Sequence, residues 1–143
     1  MSDDPPIVPE LEVSDLDRSL AVYVDVLGFR CRFLRPEGRF AYLVRERAHL
    51  MLEEAGGPGR RFLTAALERP FGRGMNLQIE VSDVDALYAR ALAAGLEIVL
   101  PMEERWYRQG ETEAGNRQCV IADPDGYLLR FFVDLGRRPY APG

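Results

Sequence analysis

The chain repeats itself, and this repeat constrains its fold more than any other feature. Leu11-Glu12-Val13-Ser14-Asp15-Leu16-Asp17 recurs as Ile79-Glu80-Val81-Ser82-Asp83-Val84-Asp85, at an offset of 68. In each copy apolar residues alternate with Glu, the period of a half-buried strand. Ser and Asp then supply side-chain oxygens for the orphan amides of a helix's first turn. Helical spacing follows at Leu20, Val24 and Leu27, and again at Leu87, Ala91 and Leu92. Each helix is set to stop at a glycine suited to the left-handed position after the last turn, Gly28 or Gly95. A short strand is expected after each stop, over 29–34 and 96–100.

The two halves continue alike. Residues 40–44 and 49–54 read as a hairpin, as do 118–122 and 127–133, the second turning through Asp123-Pro124-Asp125-Gly126. Aligned at an offset of 77, Leu50-Met51-Leu52-Glu53 falls against Tyr127-Leu128-Leu129-Arg130. The expected fold is α+β: two βαβββ modules in tandem, about 7–54 and 75–135, within one domain of 143 residues. A Gly/Pro/Arg-rich linker over about 55–74 joins them, and a tail follows over 136–143. Two copies related by a pseudo-two-fold axis would curve a mixed sheet into a concave cup, with the helices outside.

Composition narrows the chemistry. A balance of 18 basic against 23 acidic residues, net −5, disfavours nucleic acid or an anionic membrane as partner. Every basic residue is Arg, which excludes lysine Schiff-base chemistry. One histidine, His49, and two cysteines, Cys31 and Cys119, cannot build a Cys/His zinc site. Both cysteines lie in strand-like segments and read as half-buried thiols of a reducing compartment. None of the four serines sits in a nucleophile elbow, and no phosphate-cradling glycine loop is present. No apolar run approaches the roughly 18 residues of a membrane span, and the N-terminus has no signal-peptide pattern, so a cytoplasmic location is expected.

The pattern V-S-D-L-D-x-S-L-x-x-Y-x-x-V-L-G-F over Val13–Phe29, with D-P-D-G-Y-L-L-R-F over Asp123–Phe131, resembles the vicinal oxygen chelate superfamily. That group includes glyoxalases, extradiol dioxygenases and bleomycin resistance proteins, and the resemblance runs from about Ile7 to Leu135. It implies that an enzyme of this kind would hold a divalent metal inside the cup. The ligands would come from Val8 and Asn76, seven residues before each helix-start Asp, and from Glu53 and Arg130 late in each module's last strand. Only Glu53 is an ordinary ligand; Val8 has no donor atom and Arg130 is a permanent cation. A two-residue slip in the first strand would offer Glu10 instead.

Strand alternation gives the cup its lining. Glu10, Glu12, Asn76, Gln78 and Glu80 are expected on the cavity side, joined by Met51, Glu53, Leu128, Arg130 and Phe132. Glu12 and Glu80 read equally well as solvated strand positions, and Glu53 and Arg130 as a pair across the floor. Trp106 beside Tyr107 offers a flat aromatic pair for a planar or cationic ligand, or plain rim packing. The expected ligand-binding set is Met51, Glu53, Asn76, Gln78, Trp106, Tyr107, Arg130 and Phe132, with no catalytic residue and no metal beyond the weak candidate Glu53.

The resemblance and the missing ligands together point to a metal-free binder like the bleomycin resistance proteins. Such a protein sequesters a bulky cationic or planar compound, such as a glycopeptide antibiotic, without any cofactor. A homodimer is implied, with Pro5-Pro6-Ile7-Val8-Pro9 as a stiff arm suited to exchange between subunits. The alternative is a glyoxalase-, isomerase- or dioxygenase-type enzyme with a divalent metal at an atypical site. A third reading is an interaction module whose cup is filled by its own side chains.

Overall fold

The computed structural model describes residues 3–142. In the first half, β1 (Glu10–Val13), β2 (Arg30–Arg35), β3 (Phe40–Arg45) and β4 (Ala48–Glu54) form sheet A in the order β1-β4-β3-β2. In the second, β5 (Asn76–Glu80), β6 (Glu97–Gln109), β7 (Thr112–Ala122) and β8 (Leu128–Pro139) form sheet B in the order β5-β8-β7-β6. The first strand of each module runs parallel to the last, and the others pair antiparallel. The βαβββ order is present twice, as two four-stranded sheets.

Asp15 and Asp83 cap the helices as their positions require: Oδ1 accepts from the amide of Arg18 at 3.2 Å and of Ala86 at 3.0 Å. The first helix, α1 (Leu16–Leu20), widens into a π-helical stretch over Ala21–Val26, and the Leu27 amide reaches the Val22 carbonyl at 2.9 Å. The second, α2 (Val84–Ala93), stays regular. Gly28 and Gly95 follow at φ of +80° and +73°, the left-handed region that ends a helix most cheaply at glycine.

The helix-facing sides of both sheets join one buried cluster. Leu11, Val13, Leu43 and Leu52 from sheet A meet Ile79, Cys119, Leu129 and Phe131 from sheet B, with Tyr23, Leu27 and Leu87 from the helices. Burial pushes the Cys119 thiol up to about 11, so this cysteine is packing material. Buried Tyr23 donates its hydroxyl to Asp123 Oδ2 at 2.8 Å, while Asp123 Oδ1 accepts from the amides of Asp125 and Tyr127. Burial raises the Asp123 carboxyl and carries the Tyr23 phenol well above its ordinary value.

The pseudo-two-fold relation is written in polar contacts. The turn before β8 supplies Asp125, whose Oδ2 accepts the Ser14 amide at 3.0 Å; the turn before β4 supplies Glu46, whose Oε2 accepts the Ser82 amide at 3.0 Å. Each module thus binds the chain just before the other module's helix with one carboxylate.

Three expectations change. Glu12 pairs with Glu53 and Glu80 with Phe132, while Glu10 pairs with Met51 and Gln78 with Arg130. By register Met51, not Glu53, is therefore the mate of Arg130, and the last strands align at an offset of 79 rather than 77. The two turns before those strands differ in length and share no motif, so sequence alone left the shift unpinned. The second module's hairpins also run further than expected. Gly110 (φ +67°) and Glu111 make a tight turn into β7, and the supposed tail continues β8 to Pro139. Among the described residues no helix is long and apolar enough to cross a membrane.

Candidate functional site

Residues directly paired across a sheet share a face. On sheet A the face opposite the core carries Glu10 and Glu12 from β1, Met51 and Glu53 from β4, and Phe40 and Tyr42 from β3. Phe40, Tyr42 and Val44 form a second buried cluster there, packed by Val8 and Met51. Phe33 stacks on Tyr42 and Phe40, with ring centroids at 5.3 and 6.1 Å, and Arg35 lies over Phe40 at 4.5 Å. This aromatic wall was missed by the sequence reading, although Phe40, Tyr42 and Val44 alternate as a strand face should.

Floor A is also charged, and the charge is compensated from an unforeseen place. Arg61 of the linker inserts its guanidinium between Glu12 and Glu53, with Nε 2.6 Å from Glu12 Oε1 and Nη1 against Glu53 Oε1. These are ion pairs, not aligned hydrogen bonds, since neither nitrogen has a partner in good geometry. Nη2 donates to the Glu54 carbonyl at 2.6 Å. Glu53 is only 7% exposed. The expected Glu53–Arg130 pair is thus corrected: Glu53 sits on sheet A with Arg61, and Arg130 sits on sheet B. Beside this cluster, Glu10, Glu12, Arg60–Leu63 and Tyr127 line a cavity of about 190 Å³.

On sheet B the face opposite the core carries Gln78, Arg130, Val120 and Leu100 in one register row, and Glu80, Phe132, Gln118 and Glu103 in the next. Asn76 and Tyr107 share that face by alternation. Arg130 donates Nη2 to Gln78 Oε1 and makes no ion pair among the described residues. Gln118 is 1% exposed and donates Nε2 to Glu103 Oε2 at 2.9 Å and to the Tyr107 hydroxyl at 2.6 Å. Glu80 pairs with Arg47. Asn76 and Gln78 also line a cavity of about 250 Å³ with Ile7, Pro9 and Ala48–Leu50.

Trp106 and Tyr107 do not form an aromatic pair. As successive strand residues they point to opposite faces, Tyr107 towards Gln118 and Trp106 away from it. The Trp106 ring lies against Gly115, where an added Cβ would meet it at 2.7 Å, and Arg138 covers it at 3.9 Å from the centroid. Its stacking capacity is spent within the chain.

The residues present do not fit a divalent metal. Val8 packs in the apolar cluster, Met51 holds the register of Arg130, Asn76 belongs to the other sheet, and Arg130 is itself a cation. The Glu12–Glu53 carboxylates already share a guanidinium, whose charge a dication would have to displace. Glu10 and Asn76, the remaining candidates, line different cavities.

Residues 8–131 match the family model described as the Glyoxalase/Bleomycin resistance protein/Dioxygenase superfamily, and the chain belongs to that family. It is similar to bleomycin resistance proteins of Geobacillus stearothermophilus and Staphylococcus aureus, each 27% identical over 135 residues, covering 90% of this chain and 96% of the relative. Among solved structures it resembles TioX from Micromonospora sp. ML1, 30% identical with a TM-score of 0.68, over 90% of this chain and 98% of that one.

Proposed function

We propose that this protein binds and sequesters a small molecule without transforming it, and does so without a metal. One observation carries the reading: of the four positions at which the resemblance places metal ligands, Val8 has no donor atom, Asn76 is an amide, Arg130 is a permanent cation, and Glu53, the one ordinary ligand, is taken up by Arg61. That set offers a divalent metal no ordinary ligand that is not already paired. The relatives named bleomycin resistance proteins support a bulky glycopeptide-like ligand. On floor A the exposed Glu10 carboxylate lines a cavity with Phe62 and Tyr127, a lining that suits a cationic group with a planar part.

The assembly we infer is a homodimer. Each sheet spends its helix-facing side on the shared core and offers one floor. A second copy placing its floor B against floor A would enclose a bulky compound that one floor cannot. The decisive experiment is calorimetric titration of the purified protein with bleomycin, with metal content measured on the same sample and the drug recovered for mass spectrometry. Saturable binding, no stoichiometric metal and an unaltered drug are expected. A stoichiometric transition metal, or a chemically changed drug, would overturn the reading.

A further inference from the structure

The linker between the modules is fastened to the rest of the chain in few places. At its start the Gly57 amide reaches the Glu54 carbonyl at 3.4 Å, and from Leu67 onward it packs on the core and Arg69 holds Asp125. Between those points, residues 58–66 make no backbone–backbone hydrogen bond among the described residues. Apolar burial does not hold them either, since Phe62 is 78% exposed and Leu63 50%. Arg60 lies over Phe62 at 5.0 Å and so spends its contact inside the segment. Among the described residues, one polar side chain ties the segment down: Arg61, through Glu12, Glu53 and the Glu54 carbonyl.

The fit around Arg61 is close, yet it is of a kind that another cation can replace. Gly57 and Gly59 curl the backbone round the guanidinium: a Cβ on Gly57 would stand 2.8 Å from Nη2, and one on Gly59 would stand 2.7 Å from Nη1 and against Glu53. Nε and Nη1 nonetheless face their carboxylates without hydrogen-bond alignment. Such an attraction is charge on charge with little directional preference, so it does not single out this guanidinium. Glu12 and Arg61 also line the cavity of about 190 Å³, so a cation entering it meets the pair from the side. Exchanging one cation for another leaves the buried carboxylates paired and returns Arg61 to water. Lifting the segment with nothing in its place would leave buried charge unpaired, which is far more costly.

We propose that residues 58–66 are a strap latched over floor A by Arg61, and that a cationic group of the bound compound opens it by taking the guanidinium's place between Glu12 and Glu53. The strap is an internal competitor: it occupies the two carboxylates in the free chain and lowers the apparent affinity of any cation by the fraction of time it stays latched. Phe62 and Leu63, left exposed in the latched position, travel with it and gain an apolar surface to cover once a ligand is present. The proposal rests on the small-molecule-binding reading above and adds to it the event that admits the ligand.

Trypsin reads the latch directly, because it can cut after Arg61 only when that side chain has left Glu12 and Glu53. The full chain is digested briefly with and without bleomycin, and fragments ending at Arg61 are quantified by mass spectrometry. A free arginyl reporter peptide in the same tube corrects for any effect on the protease. Bleomycin should raise cleavage after Arg61 several-fold, the opposite of the protection a ligand gives to a rigid site. E53Q weakens the latch and should raise cleavage without the drug. R61M removes the competitor and should bind bleomycin about tenfold more tightly by calorimetry. Should R61M fail to fold, digestion of the unmodified chain decides alone. Bleomycin bound by calorimetry with cleavage after Arg61 unchanged or slowed would overturn the strap and leave sequestration standing. The same holds for E53Q cut at the unmodified rate, or for a folded R61M of unchanged affinity. No bleomycin binding at all would overturn both.

Discussion

Replacing Arg61 by Met removes the guanidinium between Glu12 and Glu53 while keeping an unbranched side chain of similar reach. Both carboxylates are nearly enclosed, with side-chain exposures of 9% and 10%, and they face each other in register across β1 and β4. At ~4 Å between charge centres and an effective dielectric of ~20, each ion pair is worth ~4 kcal/mol before desolvation. Desolvation cancels much of that, but breaking a buried pair from one side still costs ~3–5 kcal/mol, because the remaining charges stay buried. Arg61 keeps 18% exposure, which favours the lower end of that range. The expected loss is ~3 kcal/mol, about 9 °C in melting temperature at ~3 °C per kcal/mol for a chain of this size. Urea denaturation of R61M, E53Q and the double variant forms the cycle that isolates the coupling. The double variant should cost at least ~1 kcal/mol less than the sum of the singles, and adding E12Q should restore more. Strictly additive losses, or an R61M midpoint equal to that of the unmodified chain, would refute the claim that this guanidinium neutralises floor A.

Three further outcomes follow from the same contacts. Tyr23→Phe leaves Asp123 Oδ2 buried without its donor and should lower stability by ~1–3 kcal/mol, read from the urea midpoint. Gly115→Ala drives a methyl into the Trp106 ring, which should leave its place under Arg138; tryptophan fluorescence should shift, and an unchanged spectrum would speak against the packing described. The Arg39 guanidinium, and then the Leu16 amide, hold the Glu54 carboxyl below the usual carboxylate range. Its contribution is therefore present above the unfolded value of ~4.3 and lost as pH falls through the depressed folded value. Glu54→Gln should be less stable than the unmodified chain at neutral pH by no more than ~1 kcal/mol, and the gap should close on acidification towards pH ~3.

Much of the fold was legible because its signals are local and occur twice. The Ser-Asp cap chemistry, the alternating strands and the glycine stops each need only a few neighbouring residues, and the repeat confirmed each reading. The register of β4 against β8 was not legible, because it depends on turn length and the two turns share no pattern. The reach of β6 to β8 was hidden by Gly110 and Gly115, glycines that break a strand pattern yet here serve a tight turn and a flat ring. At the site, alternation placed Met51, Glu53, Gln78, Arg130 and Phe132 on the floors correctly. It also holds Trp106 and Tyr107 apart, a consequence that treating them as a pair overlooked. Arg61 could not have been found this way: it comes from a linker with no secondary structure, and only the folded chain shows where the linker lands.

The net charge of −5 says little about the field on either floor, and the distribution of arginines shows why. A field inside a concave site is set by the charges that remain after local pairing, because paired charges cancel within a few ångströms and screening removes more distant ones. On floor A one linker arginine meets two carboxylates, which leaves a net negative residue that a cationic group can exploit only by competing with Arg61. On floor B, Arg47 takes Glu80, Gln118 bonds Glu103 without neutralising it, and Arg130 makes no ion pair among the described residues, so one charge of each sign is left apart on the same face. The two floors, built on one repeated pattern of strand and turn, therefore differ in how their charges are paired. A ligand recognised by both would be read by the separation of its charges, a property that neither the composition nor either module alone determines.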